Sequence, residues 1–236
     1  MTGLSTSIAD TLLGRDGTPQ HARDIAATPR DELVRRYRFS VGAFDHRVFD
    51  LEGEQLDQAW LEEVGVGRWP VRTLLGHLAD AEVVFTHRLR RAVAEPGSVL
   101  SDWDDRAFVD AGLYEQVAGD QAPGVDVPNT IAPPVGAFVG AIYTQRQWIG
   151  EWLGNLTSEA WDRRVLHPQR GELSVLDLAV INTWHLEHHA WFLNAKIEKF
   201  LGPRPEAEPG AGACATQADQ PGGCGAGCAC ASKQQG

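Results

Sequence analysis

Apolar residues recur every three or four positions in four stretches of the chain, with polar residues between them. The apolar positions of the first stretch are Val34, Tyr37, Val41, Phe44, Val48 and Leu51. Thr28-Pro29-Arg30-Asp31 precedes them, with Thr28 as the expected cap and Asp31 three residues later. Spacings of three and four are typical of one buried helix face, so the pattern predicts a helix of about five turns.

The second and third stretches predict two longer helices. Trp69-Pro70 marks the start of the second helix, whose stripe is Leu74, Leu78, Ala81, Phe85 and Leu89, before the stop at Pro96-Gly97. The third helix is expected from about Pro134 to Leu153, and a short helical piece over residues 158–163 follows it. Between the two helices lies a polar connection over residues 97–133, and connections of that length usually carry function or short elements of their own.

The fourth helix is predicted to begin at Ser174, which can cap it, with Asp177 completing a capping box. Gly202-Pro203 is a typical stop. The inward stripe of this fourth helix is Leu178, Ile181, His185, His188, His189, Phe192 and Ala195. No alternating run rich in Val and Ile predicts a substantial sheet. The expected fold is all-α, an antiparallel four-helix bundle whose helices span about 18 to 26 residues and are joined by long connections.

Composition divides the 236 residues into one domain and two appendages. Residues 1–28 are mixed and polar and are interpreted as an N-terminal arm, and residues 29–202 form the predicted bundle. Residues 203–236 are predicted to be a flexible tail, because 17 of the 24 residues from Pro209 to Ser232 are Gly, Ala or Cys. Such a segment buries too little apolar surface to offset the entropy lost on ordering.

Charge and cysteine usage narrow the class of protein. The formal net charge is −11, which argues against nucleic-acid binding because that binding needs a cationic surface. All four cysteines lie in the last 23 residues, at Cys214, Cys224, Cys228 and Cys230, so the fold does not depend on disulfides. The N-terminus lacks a basic, apolar leader and no stretch approaches the roughly 20 apolar residues of a membrane span. We therefore expect a cytoplasmic protein without a membrane partner.

Three histidines are predicted to point into the core. His185 and His189 are four residues apart and share a helix face with Ile181, while His77 lies in the stripe of the second helix. Buried imidazoles are costly without a partner, and a divalent metal ion supplies one. Three protein ligands leave a position open for water or substrate. A His pair at this spacing alone is also compatible with a surface pair or a hydrogen-bonded core pair.

The wider pattern resembles the DinB/YfiT-like superfamily over about residues 30–200. The segment from Arg68 to Glu82 resembles the family's second-helix signature, and the segment from His167 to Leu178 resembles its turn into the fourth helix. Trp184-His185-Leu186-Glu187-His188-His189 resembles its His-x-x-x-His metal motif.

The resemblance implies a four-helix bundle in which His77, His185 and His189 bind a divalent metal ion. Zinc is the first expectation, with nickel, iron or manganese as alternatives. His188 is the rival of His189, which is preferred because four residues is the family spacing. Where family members carry Gly-Gln-Ile after the last His, this chain has Trp191-Phe192-Leu193, so the polar Gln near the site is replaced by an apolar residue.

The resemblance implies metal-dependent chemistry on a small molecule. The first reading is a thiol S-transferase whose metal activates a low-molecular-weight thiol such as bacillithiol or mycothiol, and the family also includes maleylpyruvate isomerases. The alternatives are a hydrolase that uses metal-bound hydroxide, or a non-catalytic metal-binding or stress-response module. No catalytic residue beyond the metal ligands is assigned, and a homodimer is plausible for a small bundle with exposed Trp.

The remaining polar residues suggest weaker roles. Glu82 is expected in a surface or inter-helix pair and Glu187 in a structural one, while His46 and His87 are expected in solvent. His167 suits a capping or packing role, and Trp103 and Asp104 could cover the open side of the metal. The four tail cysteines are interpreted first as independent thiols, and otherwise as a soft-metal site or as thiol donors to the His site.

Overall fold

A computed structural model describes residues 24–114 and 134–204. The described residues form helices α1 (Arg30–Phe39), α2 (Gly53–Asp57), α3 (Val71–Ala94), α4 (Asp105–Asp110), α5 (Val135–Gly154), α6 (Ser158–Trp161) and α7 (Val175–Leu201), and strands β1 (Arg164–His167) and β2 (Gly171–Ser174). Short 3₁₀ helices cover Ser40–Ala43, His46–Asp50 and Glu62–Val64. Residues 24–27 are also helical.

Four of these helices form the predicted bundle. The most extensive helix contacts join α3 to α5, α1 to α5, α3 to α7 and α1 to α7. The order around the bundle is therefore α1, α5, α3, α7, so that consecutive helices α1 and α3 lie across the bundle from each other. The prediction of an all-α four-helix bundle is confirmed.

Two apolar clusters follow each other along the bundle and reveal the helix directions. Both α3 and α5 begin in one cluster, at Leu74 and Ile142, and end in the other, at Leu89 and Leu153. Helix α7 runs the opposite way between the same clusters, and so does the chain from Leu33 and Tyr37 of α1 to Phe44 and Val48 after it. Two helices thus run in each direction, but α3 and α5 run the same way although they follow each other in the chain. A long crossover connection permits this order.

The predicted five-turn first helix is wrong. Helix α1 has 10 residues and has no side-chain cap, because the Thr28 hydroxyl donates to the Asp24 carbonyl instead. Two 3₁₀ turns follow, the second of which begins where the Asp45 carboxylate accepts the Arg47 N–H. Apolar positions spaced by three also fit a 3₁₀ helix. The stripe residues Phe44, Val48 and Leu51 are therefore buried, although the α-helix has already ended.

The later helices agree closely with the predictions, because strong end signals fix them. Ser174 and Asp177 form the predicted capping box at the start of α7, and Gly202, with φ of +77°, ends the helix. Helix α3 begins directly after Pro70, and α5 begins directly after Pro134.

The short hairpin of β1 and β2 was not predicted. The strands pair antiparallel, with Val165 opposite Leu173 and His167 opposite Gly171. Val165 and Leu173 are buried against the bundle, so the hairpin caps one end of the core. Because β2 leads directly into α7, the hairpin turn lies beside the first turns of that helix.

The outer boundaries of the predicted segments stay predictions. The arm over residues 1–28 is described only from residue 24, where Ile25 is fully buried in the core. From residue 205 onward the predicted flexible tail, with its four cysteines, lies outside the described residues. No helix of the two described ranges is long and apolar enough to cross a membrane.

Candidate metal centre

Helices α3 and α7 bring the three predicted histidines together. One nitrogen from each of His77, His185 and His189 lies within 4.8 Å of the others, and the Nε2 atoms of His77 and His185 are 3.2 Å apart. Ring centroids are 4.6 to 5.2 Å apart across the three pairs. Since the two α7 residues are one turn apart on one face, the antiparallel α3 needs to contribute only His77 to complete the cluster.

The hydrogen bonding of this histidine cluster is incomplete. The Nδ1 atoms of His77, His185 and His189 are buried, and none has a hydrogen-bond partner among the described residues. One proton between the two Nε2 atoms can satisfy only one pair. Leaving the remaining buried polar atoms unpaired is costly.

A single divalent ion fits this donor set. Two imidazole nitrogens bound tetrahedrally to zinc at about 2.0–2.1 Å would lie roughly 3.3–3.4 Å apart, close to the observed 3.2 Å. Neutral imidazole is the form that binds zinc and its neighbours in the first transition series. The three residues present could therefore hold the metal ion that the sequence predicts.

Burial keeps these imidazoles neutral. It holds the pKa of His185 and His189 well below the ordinary histidine value, and the neighbouring imidazoles lower the pKa further. Burial also lowers the pKa of His77, although Asp105 and Asp80 partly oppose that shift. A ligand set without protons to displace is ready to bind a cation.

The histidine cluster lies at one end of a cavity of about 570 Å³, a size typical of small-molecule sites. Two Trp rings flank His77, with Trp69 at 4.9 Å and Trp103 stacked at 5.6 Å between centroids. Trp69 also stacks on His189 at 6.2 Å. These rings fix the orientation of the imidazoles and form an apolar wall beside the nitrogens.

Asp105 is a carboxylate beside the cluster that the sequence did not single out. Its Oδ2 atom lies 4.0 Å from His77 Nδ1, too long for a hydrogen bond but close enough for electrostatic attraction. Asp104, one residue earlier, caps α4 by accepting the Ala107 N–H, and so places Asp105 in the first turn. Histidine ligands commonly donate their second N–H to such a carboxylate, which fixes the tautomer.

The segment that carries Trp103 and Asp105 is held against α3 by Tyr114. Its hydroxyl donates to Asp80 Oδ2 at 2.5 Å, and its ring packs on Gly76, directly before His77. A Cβ at Gly76 would lie 2.3 Å from the Tyr114 ring, so this position requires glycine. The packing of α4 is thus coupled to the position of His77.

The structure separates the other predicted residues from the cluster. His188 stacks on Trp184 at 4.8 Å instead of joining the cluster, although it lines the cavity. Glu187 forms a two-point ion pair with Arg36. His46 and His87 are exposed, as expected.

Three further residues lie where the sequence predicted them. Glu82 is fully buried in an inter-helix pair with Arg146. Trp103 and Asp104 both line the cavity beside the histidines.

Sequence reasoning missed a second polar group in the same cavity. Arg88, Asp102, Gln169 and Arg170 line it, and His167 does so as well instead of acting only as a turn residue. Arg88 follows His77 by 11 residues, about three helical turns, so it lies on the same face of α3. That spacing was readable in the sequence. The approach of the hairpin turn was not, because no local pattern shows where a short hairpin packs.

Comparison with known proteins identifies related chains. The sequence profile of the DinB superfamily matches residues 15–193. A protein of Oceanobacillus iheyensis is 28% identical over 142 residues, which are 60% of this chain and 70% of that protein. A second protein of that organism is 26% identical over 158 residues, which are 67% and 79% of the two chains. Both carry the name "putative metal-dependent hydrolase".

Two further comparisons agree. A Bacillus pumilus protein with the same name is 23% identical over 134 residues, which are 56% of this chain and 67% of that protein. The solved structure of YfiT from Bacillus subtilis matches with a TM-score of 0.57 at 16% identity, over 73% of this chain and 87% of that one. Its title describes "a probable metal-dependent hydrolase with an unusual four-helix bundle topology". This likeness shows that the two chains share a fold.

Proposed function

The chain belongs to the DinB superfamily, and we propose that it is a metal-dependent hydrolase whose ion is held by His77, His185 and His189. Zinc is the first choice of metal, and nickel, iron or manganese are alternatives. Hydrolysis takes precedence over the thiol S-transfer that the sequence placed first, because the relatives found by comparison are named as hydrolases.

The observation that carries the proposal is the unsatisfied state of the histidine cluster. Three imidazoles converge at one end of a cavity, that of His77 buried and those of His185 and His189 half-buried. Their buried Nδ1 atoms lack partners among the described residues. A structural cluster would be expected to pair its buried polar atoms internally. The convergence on a cavity, where a small molecule can reach the cluster, supports a catalytic site over a structural one.

The chain's own residues support this chemistry in three ways. Burial keeps the three imidazoles neutral, so their lone pairs are free. The rings of Trp69 and Trp103 both pack against His77 and restrict its orientation. When bound, the ion would polarise a substrate carbonyl and lower the pKa of a coordinated water, which supplies a nucleophile near neutral pH.

Metal analysis of the purified full-length protein tests the site. We expect about one divalent ion per chain in the wild type and in His87→Ala, which removes an exposed histidine of α3. His185→Ala should lose the ion. Replacing all four tail cysteines by serine should leave the metal content unchanged. If the ion is lost with the cysteines and kept in His185→Ala, the protein is a tail-based metal binder instead.

An activity screen tests the reaction. The metal-loaded protein should hydrolyse members of a panel of small esters and amides in the absence of thiol, and His185→Ala should not. A reaction with electrophiles that proceeds only when a low-molecular-weight thiol is added would overturn hydrolysis in favour of S-transfer. Substrate profiling would identify the proposed small-molecule partner. Size-exclusion chromatography would test the proposed homodimer.

A further inference from the structure

The cavity that holds the histidine cluster has a second, cationic end. Arg88 from α3 and Arg170 from the β1–β2 turn line it, together with His167 and Asp102. These groups act on one another electrostatically: Asp102 and Arg170 perturb Arg88, and all three perturb His167. The carboxylates that act on His77 are different ones, Asp105 and Asp80. We refer to Arg88, Asp102, His167 and Arg170 as the arginine end.

Arg88 differs from the other buried arginines of the described residues. Arg72 forms an ion pair with Asp57 at 2.6 Å and Arg146 forms one with Glu82 at 2.7 Å. Arg88 is only 8% exposed, yet no carboxylate of the described ranges lies within 4.0 Å of it. Its Nη2 atom donates to the Ser101 carbonyl at 3.1 Å, and its buried Nε atom has no partner there.

A buried guanidinium without a counter-charge is energetically unfavourable, since its charge has lost water and gained no anion. Burial accordingly lowers the pKa of Arg88. The nearby carboxylate, Asp102, is engaged elsewhere: Oδ1 accepts the Trp103 N–H at 3.1 Å and Oδ2 accepts from Gln169 Nε2 at 2.9 Å. The position therefore favours an anion that is not part of the described protein.

The charge balance and hydrogen bonding indicate which anion fits. Arg88 has no carboxylate within 4.0 Å among the described residues, so one positive charge of the arginine end is left to be balanced. His167 is held neutral because burial lowers its pKa, and its Nδ1 accepts the Gln169 N–H at 3.2 Å. The imidazole proton is then on Nε2, which is a donor. One carboxylate, with a single negative charge and two acceptor oxygens, matches these groups, and a guanidinium binds it in a two-point fork.

Apolar side chains complete the cavity wall. Phe85, Leu173, Leu178 and Ile181 line the same cavity. A substrate that spans it would place an apolar body against these residues.

We propose that the cavity takes a carboxylate-bearing ester or amide, whose carboxylate binds Arg88 at the arginine end while its acyl group faces the histidine cluster. This substrate class rests on the proposed hydrolase function. Arg88 acts as a specificity-determining residue, and Arg170 and His167 add charge and hydrogen bonding around the same anion.

Binding to the metal-free, full-length protein tests this site without any catalytic step. The probes are 4-phenylbutyrate and its neutral counterpart 4-phenylbutanamide, which share an apolar body and differ in charge. The metal is first removed with a chelator, which is then dialysed away, because a bound metal ion and a polycarboxylate chelator would each compete in the measurement. Affinity is measured by calorimetry and by quenching of Trp fluorescence, since Trp69, Trp103 and Trp184 line the cavity.

We expect the wild type to bind the carboxylate at least about tenfold more tightly than the amide, as hydrogen bonds to a charged group imply. Arg88→Gln should lose about 10- to 100-fold for the carboxylate and leave the amide affinity unchanged. Arg88→Lys should retain part of the preference. The control Arg90→Gln removes an exposed arginine of α3 that lies over the Trp148 and Trp152 rings, outside this cavity, and should bind as the wild type does.

Equal affinity of the wild type for the two probes, or an unchanged preference in Arg88→Gln, would overturn the proposal. Thermal unfolding of each variant shows whether a loss of binding comes from a loss of folding, and Arg88→Lys keeps the charge if Arg88→Gln folds poorly. Failure of the metal-loaded protein to hydrolyse any ester or amide counts against the proposed function and leaves this binding result standing.

Discussion

Two polar clusters lie next to each other in the bundle core. The polar atoms of one have hydrogen-bond partners within the cluster, and several of those in the other have none among the described residues. The first, which we call the core network, joins Glu82, Arg146 and Asn182 with Tyr37 and Ser40. The second is the histidine cluster. Both use α3 and α7: Glu82 follows His77 by five residues, and His185 follows Asn182 by three.

In the core network, every nitrogen of the Arg146 guanidinium donates. Nε and Nη2 donate to Glu82 Oε1 at 2.9 and 2.7 Å, and Nη2 also donates to Asn182 Oδ1 at 2.8 Å. Nη1 donates to Ser40 Oγ at 2.7 Å and to the Tyr37 carbonyl. The Asn182 amide in turn donates to the Tyr37 hydroxyl at 3.2 Å.

Hydrogen-bond satisfaction separates structural from functional polar residues in this core. The core network is satisfied internally and lies between the two apolar clusters, so it needs nothing from outside. The histidine cluster opens on a cavity and leaves three buried nitrogens without partners among the described residues. Incomplete satisfaction, more than burial itself, marks the site.

The largest expected effect comes from breaking the core network. Arg146→Met leaves the Glu82 charge buried and unpaired, and we expect it to lower the free energy of unfolding by about 3–5 kcal/mol. The measurement is urea unfolding of the metal-free protein. Replacing both partners, in Glu82→Leu with Arg146→Met, should recover most of the loss.

The matched control is Arg35→Met, which removes an exposed pair with Glu32 and should leave the free energy of unfolding almost unchanged. If Arg146→Met costs no more than this control, the core network does not stabilise the fold as described.

The buried Lys196 should make the stability of the fold depend on pH. Lys196 donates to the carbonyls of Val66 and Gly67, and burial lowers its pKa to about 8 from 10.5. Between pH 8 and 10.5 the unfolded chain therefore holds the proton more tightly than the folded one. Burying the charged Lys196 lowers the free energy of unfolding fully below pH 8, and this cost disappears as the pH rises towards 10.5.

Unfolding experiments across that range check the sign. The stability of the wild type relative to Lys196→Met should rise from pH 8 to pH 10.5. The exposed Lys199→Met, by contrast, should show no such slope against the wild type. A relative stability that falls with pH would show that the buried ammonium is favourably solvated by its carbonyl partners.

The histidine cluster can be weakened from its outer contacts. Asp105→Asn should lower metal affinity by about 10- to 100-fold, because the carboxylate beside His77 Nδ1 no longer favours the proton on that nitrogen. Competition with a chromogenic chelator measures the change. Asp110→Asn, on the same helix and exposed, should bind metal as tightly as the wild type does. Equal affinities in both variants would remove Asp105 from the account.

Unfolding of an Arg88 variant should separate Arg88 from Arg146. Arg88→Met removes a charge that has no ion pair in the described residues, so we expect unfolding to change by no more than about 1 kcal/mol. This compares with the several kcal/mol expected for Arg146→Met. If the two substitutions destabilise equally, Arg88 has a structural partner, and its role in binding an anion is doubtful.

How much of this was readable from the sequence differs between the two clusters. The spacing of His185 and His189 and the stripe position of His77 were enough to place the histidine cluster, because helix periodicity fixes which residues share a face. For Glu82 the sequence predicted a surface or inter-helix pair but did not identify Arg146 as the partner. Arg146 has no local signal, since its partner lies 64 residues away on another helix.

The same limit applies to the fold. Helices α3, α5 and α7 followed from long stripes and clear end signals such as Ser174 and Gly202. The length of helix α1 was overestimated because spacing by three does not distinguish an α-helix from successive 3₁₀ turns. The hairpin was missed because each strand has four residues, too few for a pattern. Because the hairpin was missed, the position of His167 and Arg170 at the cavity was missed as well.

The central claim is that the three histidines together hold one metal ion. Zinc X-ray absorption on the full-length protein loaded with one equivalent of zinc tests it most directly, since it identifies the ligand atoms. We expect three imidazole nitrogens with no sulfur, and loss of that signature in His77→Ala. A spectrum dominated by sulfur, or one unchanged in His77→Ala, would contradict it.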